Sequence, residues 1–149
     1  MAGINFTINT EGEIALSAAT AKTVLQLVAA SNHRVRVRSF GVFFDGVSPT
    51  AEPAVVRLLR QTTAGTMSSA TPVKLGTESE TLQTTSQKNA TSEPTAGDVL
   101  RRIEVHTQSG YVEIFPPGAE IMVPGGGRLG IEVTSPAAVN CIAHIDAEE

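Results

Sequence analysis

The alternation of apolar and polar side chains changes phase once, in the middle of the most regular stretch of this chain. From Arg34 to Arg38 the two valines, Val35 and Val37, share one parity, and Arg34, Arg36 and Arg38 share the other. After Ser39 the apolar parity moves, and Phe40, Val42 and Phe44 continue the arginine series. A strand can switch its buried parity only by slipping one residue in register. The pattern therefore predicts a bent strand with a bulge near Ser39–Gly41, where Gly41 tolerates the distortion. Asp45-Gly46 then signals a turn, and residues 48–53 read as loop.

Shorter alternating runs lie on both sides. Ile4, Phe6 and Ile8 alternate within residues 1–13, which read as an N-terminal arm or an edge strand. Residues 14–30 fit two patterns. The spacing Ile14, Ala18, Ala21, Leu25, Val28 suits an amphipathic helix, whereas the β-branched run Thr23–Val28 before Ser31-Asn32-His33 suits a strand and turn. The strand is favoured. Ala54–Gln61 reads as a further strand, after which residues 62–97 become rich in Thr, Ser and Gly. That region holds two short strand candidates, 72–75 and 81–86, with Val73 and Leu82 as its packing residues. Val99, Ile103 and Val105 alternate with Arg102, Glu104 and His106, and the chain then turns into Tyr111–Phe115. Pro116-Pro117-Gly118 has the residues of a type II turn. Ile121 and Val123 face Leu129, Ile131 and Val133 across Pro124-Gly125-Gly126-Gly127, which predicts a hairpin. Val139, Cys141, Ala143 and Ile145 alternate with Asn140, Ile142, His144 and Asp146 as the last strand. Short strands separated by turn residues predict an all-β fold, an antiparallel jelly-roll-like β-sandwich of about 8–10 strands. Residues 14–149 form its single domain.

Composition adds an expectation about assembly. Only 17% of the 149 residues are charged, against roughly 25% in ordinary soluble domains. A surface so poor in charge predicts contacts with copies of the chain or with a partner. The net charge of −4 disfavours an exposed nucleic-acid surface. Lys22 and Gln26 interrupt the one apolar run that approaches membrane-spanning length. Cys141 is the single cysteine, so no intrachain disulfide forms. Met1–Asn5 lacks the basic-then-apolar pattern of a secretion signal, so Asn5-Phe6-Thr7 and Asn89-Ala90-Thr91 read as chance sequons.

Catalytic chemistry is not suggested. Gly125-Gly126-Gly127 precedes a strand pattern and Arg128, whereas a phosphate cradle opens a helix. There is no Gly-x-Ser-x-Gly elbow. Metal-binding cupin jelly rolls carry a His-x-His pair, while His33, His106 and His144 stand singly here. Glu78 with Glu80 and Glu148 with Glu149 read as loop and tail acids, and aromatic residues make up only 4% of the chain. Arg34, Arg36 and Arg38 read as a solvated strand face in preference to an anion site. The expectation is a non-enzyme with no catalytic, cofactor-binding or metal-binding residues and no small-molecule substrate.

A resemblance goes further. It is carried by Thr20-Ala21-Lys22-Thr23, Phe40–Gly46, Ala51-Glu52-Pro53, Arg60–Met67, Glu93–Asp98, Gly125–Ile131 and Pro136–Asn140. Together these resemble small structural proteins encoded among the head genes of tailed phages, of the jelly-roll capsid decoration (cement) kind. The resemblance runs from Thr20 onward and rests on structural motifs. It implies a virion protein made in the bacterial host cytoplasm and placed on the outer capsid surface. It also implies a homotrimer that bridges subunits of the major capsid protein. Residues 1–13 and 62–97 are the expected lattice contacts. The alternative is a tail-associated or cell-surface carbohydrate- or receptor-binding β-sandwich module.

Overall fold

The computed structural model describes residues 3–46 and 52–149, and within them it is an all-β sandwich of two antiparallel sheets. In chain order the strands are β1 (Asn5–Asn9), β2 (Ile14–Ala15), β3 (Ala21–Val28), β4 (Val35–Phe44), β5 (Ala54–Gln61), β6 (Thr66–Ala70) and β7 (Val73–Lys74). They continue with β8 (Thr85–Ser92), β9 (Ala96–Val105), β10 (Gly110–Ile114), β11 (Ile121–Val123), β12 (Arg128–Thr134) and β13 (Asn140–Glu148). One sheet has the order β10-β4-β13-β1-β7, with β11 also on β4 and β2 on β13. The other has the order β6-β8-β3-β12-β5-β9. The count exceeds the expected one because β2 is a two-residue piece and β6 has no apolar pattern to announce it, while β7 falls within the expected 72–75 strand.

The phase change in β4 is a bulge, one residue earlier than the sequence suggests. Ser39 pairs with Asp146 and Val37 with Ala147, which leaves Arg38 unopposed. Val35 and Val37 are buried before the slip, and Phe40, Val42 and Phe44 after it. The ladder runs unbroken through Ser39–Gly41, so Gly41 does not supply the distortion. Its glycine answers a packing need instead, because a Cβ there would overlap the His144 ring.

Residues 21–28 are strand, as favoured over helix, and the ambiguity of the region has a structural cause. Val24 is a second bulge, since Leu25 pairs with Ile131 and Thr23 with Glu132. Thr23 through Leu27 are all buried, so no period of two survives there. Of the alanines in the helical spacing, Ala18 falls at a turn, next to Ala19 with φ 55, and Ala21 opens β3.

Several other expectations need correction. The 81–86 strand lies further along, at Thr85–Ser92, and Val73 is exposed while Leu82 packs on the core. Asn5–Asn9 does not extend away as a free arm. It lies between β13 and β7, with Phe6 and Ile8 buried. Residues 124–127 do not close a hairpin. β11 pairs with β4 in one sheet, while β12 pairs with β3 and β5 in the other. The glycine loop docks on residues 29–31, with Gly126 N donating to Ala29 O and Gly127 O accepting from Ala29 N, and the chain crosses the sandwich there. The Pro117-Gly118 turn forms as expected, with Ala119 N donating to Pro116 O and Gly118 at φ 90. Most of the loop expected at 48–53 lies outside the described residues.

The core fills the space between the sheets with Phe6, Ile8, Leu25, Leu27, Val37, Phe40, Leu58, Leu129, Ile131 and Ile145, all fully buried. Phe40 is its anchor, with the Tyr111 and Phe115 rings each at 6.1 Å. Burying one such side chain stabilises the fold by about 2–3 kcal/mol.

Candidate functional site

Several of the side chains singled out by sequence come together. His33, Glu78, Glu80 and Glu149 line one open depression of about 500 Å³. Arg34, Arg36, Glu148 and Glu149 line a smaller one that shares Gly3 and Glu149 with it, while His106, His144 and Cys141 lie elsewhere. Among the described residues no group of three or more His, Cys, Asp or Glu is placed to hold a metal ion. His106 is exposed, and its Nδ1 accepts from Gln108 N within its own turn. His33 N closes a turn on Ala30 O. The Glu78 and Glu80 carbonyls accept from Lys74 Nζ. Burial pushes the Cys141 thiol up to about 12, so it is an inert core group.

Glu148 and Glu149 are not tail acids. Glu148 sits in β13, accepts from Gly3 N at 2.9 Å and pairs with Arg38 and Arg36. The Gly3 amide first, then the Arg38 guanidinium, hold its carboxyl below the usual carboxylate range. Glu149 accepts from the amides of Gln83 and Thr84 and from the Thr84 hydroxyl, which pins the 83–84 segment to the end of the chain. Two of the three arginines are therefore tied to one carboxylate and do not form an open cationic stripe.

What the structure assembles is a surface. On the outer face of the seven-stranded sheet, Phe43, Val112, Ile114, Met122 and Ile142 are exposed large apolar side chains. They share this face by register, since Phe43 lies between Gly110 and Ile142, and Gly41 between Val112 and His144. Phe43 and His144 are near-parallel, at 14° and 6.1 Å between centroids. Each ring lies across a neighbouring glycine, and a Cβ at Gly110 would overlap Phe43 just as one at Gly41 would overlap His144. Glycines on both strands thus make the face flat. Beside the rings is a shallow depression of about 360 Å³ lined by Asn9, Glu11, Phe43, Ile142 and His144. The rim is polar, with Ser39 Oγ donating to Asp146 Oδ2 at 2.8 Å and the Arg36, Arg38 and Glu148 cluster beyond.

Few signals in the sequence marked this face. Ile142 was apolar on a polar parity, and Phe43 followed the same logic once the slip in β4 was allowed. The segments expected to make contacts contribute little to it. Of residues 62–97, Val73 and Leu75 are exposed, but they belong to the opposite edge. No family model, curated protein or solved structure matches this chain.

Proposed function

We propose that this chain is a non-enzymatic structural protein of a phage head, a jelly-roll-type decoration protein that stabilises the capsid by binding the major capsid protein lattice from outside. The observation that supports this reading is the flat apolar face of β4, β10, β11 and β13 on a chain with few charges. Such a face binds by burying area at about 25 cal/mol per Å², and binding repeated over a lattice stabilises the shell by mass action. The resemblance supplies the identity of the partner and implies a homotrimer, the copy number with which the two-fold pairing described below competes.

The test is to add purified protein to undecorated expanded heads of the phage that encodes it and to image them by cryo-EM. Stoichiometric density on the outer surface is expected. Heads that stay bare, or virions that lack the protein, overturn the reading. A second reading, a carbohydrate- or receptor-binding module, draws on the Phe43 and His144 rings beside Asn9 and Glu11. It requires glycan binding in an array that is lost in Phe43→Ala.

A further inference from the structure

Among the described residues β10 is an edge strand that pairs only with β4, with no strand paired on its second side. Which backbone groups face outward follows from two bonds. Phe44 N donates to Ser109 O at 2.9 Å, and Phe115 N donates to Arg38 O at 2.8 Å. Antiparallel ladders alternate bonded and non-bonded pairs, so residues 109, 111, 113 and 115 turn their amides and carbonyls to β4. Gly110, Val112 and Ile114 turn theirs to the open edge.

β10 is short and carries one inner charge, Glu113, which is already paired with Arg101, and the other protections of an edge are missing. Gly110–Ile114 contains no lysine, no proline and no bulge against β4. The opposite edge of the same sheet is blunted, because β7 covers β1 at only Phe6 and Thr7. A contact of β10 with β10 of a second copy uses the same edge on both molecules and closes after one contact.

The five residues of β10 are complementary to themselves when read backwards. We propose that β10 pairs with β10 of a second copy, antiparallel about a two-fold axis at Val112. The two seven-stranded sheets then become one continuous sheet. The outward groups fall in register as bonded pairs, Val112 with Val112 of the second copy and Gly110 with its Ile114. Ile114, 75% exposed in the single chain, then lies over a glycine beside the Phe43 ring of the other copy. On the inner parity Tyr111 faces Glu113, so no like charges are opposed. The apolar faces of the two copies merge into one plate across the axis. This inference rests on the edge and not on the capsid reading, since a dimer that ignores phage heads leaves it standing.

Sedimentation equilibrium on the purified full chain should give twice 15.6 kDa. Val112→Pro removes an amide that faces the open edge, a position where an edge strand accepts proline. Ile114→Lys puts a charge against the Phe43 ring of the second copy. Each should raise the dimer dissociation constant by on the order of 10–100-fold with an unchanged circular dichroism spectrum. Cross-linking with oxidised glutathione tests the register. Val112→Cys places two thiols at the axis on Cα atoms about 5.5 Å apart, within disulfide reach. Ile114→Cys, more exposed, has its twin about 14 Å away along the strand and serves as the collision control. The buried Cys141 does not compete. Fast cross-linking of Val112→Cys alone is expected. A monomer at all concentrations, a trimer, a dimer indifferent to both substitutions, or equal cross-linking of both cysteines would each overturn the proposal.

Discussion

The outer faces of the two sheets invert the usual rule in opposite directions. On the seven-stranded sheet the outer face is apolar and open, with Phe43, Val112, Ile114 and Ile142 exposed. On the six-stranded sheet the outer face is polar and buried around Thr23, Gln26, Gln61 and Glu132, while Val99 and Arg102 toward the β9 edge stay exposed. The second face is covered by its own connections. Thr62 N donates to Thr95 O, the Glu93 carboxylate accepts from Thr23 N and Oγ1, and Gln26 Nε2 donates to Thr63 O. Beneath them a relay of amides runs from Gln26 Nε2 to Gln61 Oε1 at 2.7 Å and from Gln61 Nε2 to Thr23 Oγ1 at 2.9 Å. Polar groups can be buried there because each has a partner. Apolar groups stay exposed on the other sheet because, among the described residues, no segment crosses over them. One face finds its contacts within the chain, and the other, among the described residues, does not.

The comparison breaks most sharply if the covered face is damaged. Gln61→Leu removes an acceptor from Gln26 and a donor from Thr23 and leaves both buried. It should cost about 3 kcal/mol, or roughly 10 °C of melting temperature, by urea and thermal unfolding. A loss below about 1 kcal/mol would mean the network is hydrated and the face is not truly closed. Gly41→Ala should cost about 1–3 kcal/mol, because the new Cβ displaces the His144 ring. His144→Ala in the same chain should recover most of that, and additivity in the double-mutant cycle would contradict the contact.

Glu148 sharpens the contrast at the polar rim. Its carboxyl titrates lower in the folded chain than in the unfolded one. The stability it contributes is therefore present above the ordinary glutamate range and is lost as pH falls through the folded value. Glu148→Gln should be less stable than the parent by about 1 kcal/mol at pH 7, with the gap closing below about pH 4. A gap that stays constant down to pH 2 would deny the charge its role. The smallest effect belongs to the open face, where Ile114→Ser, measured at dilutions where the chain is monomeric, should change unfolding free energy by no more than about 0.5 kcal/mol. A larger loss would show that Ile114 is part of the fold and not a residue held for a partner.

Much of the architecture was legible. Val35–Phe44, Ala54–Gln61 and the last strand announced themselves by period two, and the misfit of Phe40, Val42 and Phe44 with the arginine parity announced the bulge. The covered face was not legible. Gln26 only interrupts an apolar run and Gln61 only closes a strand, so neither signals a buried partner thirty-five residues away in sequence. The open face was half legible, in Ile142 and Phe43, but Gly41 looked like a bulge residue when its role is to admit a ring.

The sequence by itself determined that the chain is β throughout, where most strands lie, and that Pro117-Gly118 turns. These are local consequences of side-chain alternation and of the dihedral angles that proline and glycine allow. Only the tertiary structure decided which strands share a sheet, sending β11 and β12 to opposite layers across Gly125–Gly127. It also decided which outer face is covered and which side of β10 stays open. Strand partners are chosen by long-range packing and backbone pairing, and a period of two carries no record of the neighbour on either side.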